Sequence, residues 1–441
     1  MTHSPQTPET APAPTVGMIS LGCPKNQMDA ELMLARLRAA GFALTNDYET
    51  ADVVVVNTCG FIEEARREGI EQILELGELK EQGQIQHIVV TGCMAERYRE
   101  EIRKELPECD AVLGLGANGD IAAAVRAVLD GQTTESFPDK SCWSLDGDRV
   151  LTTPLYTAYL RIADGCDNRC TYCAIPAIRG PFRARAADTL LKEARGLPAK
   201  ELVLVAQDVT RYPNLPALLD GLCEIDTLRW LRLLYCYPDR ITDELLDTMA
   251  RQDKIVKYLD IPLQHVSARV LCAMNRHGDA DSLCALMEKI RARVPGVTLR
   301  TTVMVGFPGE TQEDFEELCA FIEDVRFERL GCFAFSAEEG TAAYTIDGQI
   351  DEEEKARRRD IVIQTQARIH GEWCERQVGK TLPVLVEGYD AYIKRWFGRS
   401  PADAPDIDGK VFFTGHAAEG DIVDVHITGA LEFDLEGEIT P

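Results

Sequence analysis

The sequence predicts an α/β protein with three folded regions. These are an amino-terminal parallel-sheet α/β domain, a central partial (βα)6 barrel and a small carboxyl-terminal antiparallel β-barrel. Three observations predict this. Short apolar runs alternate with helix-period segments as far as residue 376. From Gln377 the pattern switches to period two, with glycines between the runs. At 441 residues the chain is also too long for one ordinary core. The expected divisions are a tail at residues 1–15, the first domain at 16–145, the second at 150–376 and the last at 377–441.

Met1–Thr15 is rich in Pro and Thr, has no apolar signal segment and reads as a disordered tail. No apolar stretch reaches the length of a membrane span. The 15 cysteines, an odd number in a long chain, fit a reducing cytoplasm in which thiols serve metals rather than disulfides. A net charge of −26 argues against non-specific binding to nucleic acid or anionic membrane and favours a basic partner.

In the first region Val16–Ser20, Val53–Val56 and Ile88–Val90 read as buried parallel strands. Ala30–Ala40, Glu63–Leu79 and Glu96–Leu106 read as the crossover helices. A cysteine with a glycine beside it follows each strand: Gly22-Cys23, Cys59-Gly60 and Gly92-Cys93. Ligand sites in open parallel sheets form at the carboxyl ends of strands, so three cysteines 36 and 34 positions apart can converge there. One such cysteine would be an ordinary small core residue. Three in the same topological position predict an iron–sulfur site, and the glycines leave room for a bulky cluster. Cys109 and Cys142 fall outside this pattern.

The second region carries six strand patterns: Thr157–Ile162, Leu202–Ala206, Leu231–Cys236, Tyr258–Ile261, Thr298–Val305 and Arg329–Phe335. Helical patterns separate them at Ala187–Arg195, Leu215–Glu224, Asp243–Arg251, Ala280–Arg293 and Gln312–Val325, and Glu352–Gln377 follows. No dinucleotide fingerprint interrupts the series, which suggests an open (βα)6 version of the eight-fold barrel, with chemistry on the loops after the strands. Directly after the first strand comes Gly165-Cys-Asp-Asn-Arg-Cys-Thr-Tyr-Cys. Cys166, Cys170 and Cys173 at this spacing can hold three corners of a cubane cluster. No fourth ligand lies nearby to close a zinc site, so one iron would stay open.

Other strand-end loops offer Gln207 and Asp208, Gln264 and His265, and the glycine-rich turn Val305–Glu310. His265 reads as a hydrogen-bonded structural histidine. Cys223, Cys272, Cys284 and Cys319 lie on helical patterns, Cys236 and Cys332 in strands, and Cys374 at the end of the last helix; all seven read as core. The third region has runs at Leu382–Val386, Tyr392–Phe397, Lys410–Phe413, Ile422–Ile427 and Leu431–Leu435, which suggests a small closed barrel of a kind used to bind polymers. From Gln377 onward it holds five Lys/Arg against twelve Asp/Glu, a net of −7. A phosphate-tracking domain would be basic.

The C-x3-C-x2-C loop with Tyr172 before its last cysteine resembles the radical S-adenosylmethionine (SAM) superfamily. After the tail, the whole chain resembles the radical SAM methylthiotransferases, with a three-cysteine first domain, a radical SAM barrel and a TRAM-like barrel. Leu21-Gly22-Cys23-Pro24-Lys25-Asn26, Asn57–Ile62, Thr91–Tyr98 and Gly165–Cys170 resemble the branch that modifies a ribosomal protein. The tRNA-modifying branch tends to have Gln-Met-Asn after the first cysteine.

The resemblance implies two 4Fe-4S clusters, one on Cys23, Cys59 and Cys93 and the other on Cys166, Cys170 and Cys173. The second would chelate SAM, with Tyr172, Gln207, Asp208 and Gly306 as expected SAM contacts. One electron would split SAM to methionine and a 5′-deoxyadenosyl radical, which takes hydrogen from the β-carbon of an aspartate in small-subunit ribosomal protein S-twelve. The first cluster would carry a sulfide that a different SAM molecule methylates, and the product would be 3-methylthioaspartate. The implied partners are the basic S-twelve protein, free or within the ribosomal subunit, and an electron donor, with no membrane. RNA binding through an acidic TRAM-like domain is disfavoured. The rivals are a tRNA adenosine methylthiotransferase of the same architecture and a non-enzymatic iron–sulfur sensor or scaffold.

Overall fold

The computed structural model describes residues 13–440, so the tail expected at 1–15 falls outside the described residues as far as residue 12. Thr15 already opens the first strand. The chain divides into two compact units, one formed by residues up to Thr152 together with Ala177–Gly180, the other by Thr153–Pro176 and everything from Pro181.

In the first unit the strands are Thr15–Ser20 (β1), Ala43–Thr45 (β2), Val53–Thr58 (β3), His87–Gly92 (β4), Ala111–Leu113 (β5) and Thr134–Ser136 (β6). They form one parallel sheet in the order β2-β1-β3-β4-β5-β6. The Val-rich run of β3 is buried on both faces, as a parallel sheet under helices requires. Val53 and Val55 pack against Leu37, Val125 and Trp143, while Val54 and Val56 pack against Ile73, Leu76 and Ile102. Each of the unforeseen strands β2, β5 and β6 has only three residues, too few to show a period. The helix expected at Glu96–Leu106 is two helices, Cys93–Arg97 and Arg99–Glu105, broken at Tyr98, whose φ of −121° and ψ of 36° are not helical.

In the second unit the strands are Thr157–Arg161 (β7), Ala163–Asp164 (β8), Arg183–Ala184 (β9), Glu201–Val205 (β10), Trp230–Leu233 (β11), Ile255–Asp260 (β12), Thr298–Val305 (β13) and Arg329–Ala334 (β14). Six of them form an open parallel sheet in the order β14-β13-β12-β11-β10-β7, the partial (βα)6 barrel anticipated from the sequence. Alternation divides its faces. Leu160, Leu204, Leu231 and Leu299 join the helix-covered core. Arg161, Glu201, Arg232 and Tyr258 are equally buried but polar, and they belong to the opposite register.

The carboxyl-terminal strands Thr381–Asp390 (β15), Arg395–Arg399 (β16), Val411–Thr414 (β17), Ile422–Ala430 (β18) and Leu435–Ile439 (β19) close into a five-stranded barrel in the same unit. Four of its pairings are antiparallel, and β17 pairs with β19 in parallel. Two strands start later than expected. Asp390 Oδ1 accepts the Tyr392 and Ile393 N–H groups at 2.8 and 3.1 Å, which makes Asp390–Lys394 a turn. Leu431 N–H bonds to the Asp434 carbonyl at 2.8 Å, so Leu431–Asp434 is a turn as well.

Polar groups join this barrel to the open sheet. Arg232 donates to the Pro401 carbonyl at 2.9 Å and Tyr258 donates to Asp408 at 2.7 Å. Among the described residues no helix is long and apolar enough to cross a membrane. Two cysteine expectations need correction. Cys236 lies beyond the end of β11 rather than in it, and Cys272 is exposed on Ala268–Ala273, a helix too short to define a buried face. Cys223, Cys236, Cys332 and Cys374 are buried; Cys284 and Cys319 are half-buried against the core.

Candidate metal centres

Parallel register sets the first site. Ser20 lies beside Asn57, and Asn57 beside Thr91, so β1, β3 and β4 end level and deliver Cys23, Cys59 and Cys93 to one edge. Cys23 caps the helix Pro24–Ala39, and Cys93 begins the helix that follows β4. Free helix N–H groups favour negative charge at such positions. A Cβ on Gly22, whose φ is +92°, would lie 2.9 Å from the Cys59 sulfur, and one on Gly60 would lie 2.7 Å from Met94 Cα. The glycines therefore let the three cysteine turns approach one another, a closer reason than room for a cluster.

Asn26 binds these turns together. Its amide nitrogen donates to the carbonyls of Leu21, Asn57 and Thr58 at 2.7, 3.2 and 3.2 Å. Thr58 Oγ1 in turn donates to the Thr91 carbonyl at 2.6 Å. Burial alone would raise the Cys23 thiol, but Lys25, Arg179 and nearby backbone N–H groups outweigh it and hold its pKa below the usual thiol value. Burial raises Cys59, and it pushes Cys93 up to about 12. The surroundings thus favour the thiolate at Cys23, while burial disfavours it at Cys59 and Cys93, from which a metal would have to draw the protons.

The second triplet lies on the loop after β8, which pairs with β9. Cys173 N–H bonds to the Cys170 carbonyl at 3.0 Å, and Asn168 N–H reaches the Cys166 sulfur at 3.5 Å. The chain just past helix Ala268–Ala273 holds the loop in place. Asn275 donates to the carbonyls of Asn168 and Arg169, and Arg276 Nη1 points at the Cys170 sulfur from 3.9 Å. Burial raises the thiols of Cys166 and Cys173, the latter to about 12. Among the described residues no three His, Cys, Asp or Glu side chains form a single-ion site.

The other expected contacts follow the strand ends as foreseen, with different occupations. Gln207 Nε2 donates to Asp164 at 2.8 Å, while its buried Oε1 has no hydrogen-bond partner among the described residues. That orphan acceptor is open to an incoming N–H donor. Asp208 is saturated from within, accepting from Asn168, Thr210, Arg240 and the Arg211 N–H. Gly306 has a φ of +74°, and its N–H donates to Glu310 at 2.7 Å. A Cβ there would lie 2.3 Å from Lys355 Cγ, so the turn needs glycine for internal reasons. Tyr172 packs toward Phe307, Phe335 and Met274.

His265 is buried, accepts the Ser267 N–H at Nδ1 and is held neutral, since burial lowers its pKa to about 4. It is structural, as the sequence suggested. Sequence reasoning passed over Arg240, Arg276 and Arg179. None of them stands at the end of a strand of the parallel sheets, so no strand-end signal marks them.

Comparison with known proteins follows the same divisions. Residues 15–114 match the Uncharacterized protein family UPF0004, residues 160–322 the Radical SAM superfamily and residues 378–440 the TRAM domain. A relative in Pelotomaculum thermopropionicum named ribosomal protein uS12 methylthiotransferase RimO is 48% identical over 438 residues, 96% of this chain and 98% of its own. The protein of the same name in Geobacter sulfurreducens is 43% identical, with 96% and 98% covered. Among solved structures, the radical SAM methyltransferase TsrM from Kitasatospora setae, with tryptophan and a SAM analogue bound, shares the fold at a TM-score of 0.56. It is 13% identical, and 86% of this chain and 79% of that one are covered.

Proposed function

This chain belongs to the family of ribosomal protein uS12 methylthiotransferases, and on that footing we propose that it adds a methylthio group to the β-carbon of an aspartate in ribosomal protein uS12. The observation that carries this reading is the pair of cysteine triplets, one at the strand ends of the first parallel sheet and the other on the loop after β8, which follows the first strand of the second. Cys166, Cys170 and Cys173 would hold one 4Fe-4S cluster with an iron open to SAM, and Cys23, Cys59 and Cys93 would hold the other. When bound, the clusters and SAM supply the radical chemistry and the methylated sulfur.

The remaining work falls to the protein's own residues. Asn168, Asn275 and Arg276 fix the second loop, and the free Oε1 of Gln207 orients the SAM amino group. Asp208 and Gly306 hold their loops rather than touch SAM. Tyr172 backs the last cysteine and excludes water. We keep 16–145, 150–376 and 377–441 as the working domain division, with the acidic barrel receiving a basic protein. An external electron donor is required, and the cytoplasm, where ribosomes assemble, is the compartment.

A tRNA adenosine substrate is not favoured, because a barrel with a net of −7 repels RNA. The test is anaerobic incubation with SAM and reductant, offering uS12 and tRNA in parallel, followed by mass spectrometry of both. Methylthiolation of uS12 alone is expected. Modification of tRNA alone would overturn the substrate, and failure to cleave SAM would overturn the chemistry.

A further inference from the structure

Arg179 lies six positions after Cys173 in sequence, yet Ala177–Gly180 packs as part of the first unit. Its side chain is only 1% exposed. Nη2 donates to Asp29 Oδ2 at 2.9 Å and to Asn26 Oδ1 at 3.3 Å. Asn26 is the residue whose amide nitrogen holds the backbone ahead of Cys23 and Cys59, so the guanidinium fixes which way that amide faces. Asp29 is fixed in its turn, because Oδ1 accepts the Trp143 indole N–H at 2.9 Å. The cation also sits close to the cysteine turns, because Asn26 and Asp29 both stand on the helix that Cys23 opens, and Asn26 reaches the backbone before Cys59.

We infer that Arg179 is a positioning residue for the amino-terminal iron–sulfur cluster, locking the Asn26 clamp and placing a permanent cation behind the turns that carry Cys23 and Cys59. This rests on the reading of Cys23, Cys59 and Cys93 as cluster ligands. A cubane on three thiolates gathers negative charge in a buried place, and a buried cation offsets it most strongly where water is excluded. Arginine suits the task because Nη2 bonds the carboxylate and the amide from a rigid, always-charged plane, whereas a lysine ammonium sits on a flexible stem that fixes neither partner as firmly.

The test uses the full-length chain with Cys166, Cys170 and Cys173 all changed to Ala, so that only the first cluster reports. Arg179 is compared with Arg179→Lys and Arg179→Gln after anaerobic reconstitution, with circular dichroism to check folding. Iron lost to a chelator and the midpoint potential from electron paramagnetic resonance are the readouts. Arg179→Gln is expected to release iron about 10–100-fold faster, and its residual cluster should have a lower potential because a nearby positive charge is gone. Arg179→Lys should recover the potential but not the retention. Parental retention and potential in both variants would overturn the inference. Faster loss with unchanged potential in both would also overturn it, in favour of a brace for the fold alone. Should Arg179→Gln fail to fold, parental iron retention in Arg179→Lys would overturn it. A parent that binds no iron would overturn the cysteine assignment itself, which is a separate result.

Discussion

Arg399 Nη2 donates to Glu201 Oε2 at 2.6 Å, and neither side chain is more than 2% exposed. Arg232 bonds the other oxygen of the same carboxylate at 2.9 Å. The barrel strand β16 is thus joined by a sealed ion pair to the first residue of β10.

Burial opposes ionisation of Glu201, but Arg399 and Arg232 outweigh it and hold its pKa at about 2. The folded value lies below the unfolded carboxylate value of about 4.3, so the stabilisation is complete above that pH and is lost as pH falls through about 2. Arg399→Ala should cost about 3 kcal/mol at neutral pH, the low end for a broken buried pair, because Arg232 stays. Urea unfolding at pH 7 measures it. A loss under about 1 kcal/mol would place the pair with weak surface bridges.

Changing Cys23, Cys59 and Cys93 together to Ala should remove half of the bound iron and sulfide. The variant should still form 5′-deoxyadenosine from SAM yet make no methylthiolated uS12. Loss of all the iron, or of none, would contradict two separate sites.

Cys170→Ala should abolish 5′-deoxyadenosine formation, because a cluster left with two protein ligands does not persist. Chromatography of the reduced, SAM-fed variant settles this. Normal yields would remove the second triplet from the reaction.

If the acidic barrel draws in a basic protein, reversing exposed charges there should slow capture. Asp424, Glu432 and Glu438 are exposed; Asp421 is a poorer choice because it lies 3.6 Å from Lys200. Changing the three to Lys should lower kcat/KM for uS12 about tenfold at low salt. The gap should narrow as the Debye length shrinks below about 10 Å. Faster modification of tRNA by the same variant would favour the RNA rival.

The sequence announced most of what depends on local pattern. All six strands of the open sheet were found, because each is an apolar run bounded by turns and followed by a helical period. Both cysteine triplets are legible as candidates, one from its spacing and the other from its position after strands. Less visible were features fixed by distant partners. Three-residue strands such as β5 have no readable period. Arg179 and Arg276 stand outside the strand ends, and only the folded chain shows what they touch. Asp208 and Gly306 were chosen by the strand-end rule, which cannot reveal that their groups are already taken up inside the protein.

The buried bonds from Arg399, Pro401 and Asp408 tie the barrel to the open sheet at points beyond its short connection. A substrate gripped there would present its target at a preset reach from the Cys166 loop, as on a jig. Selection would then turn on span as much as on grip, and a molecule of the right charge but the wrong length would dock without being modified.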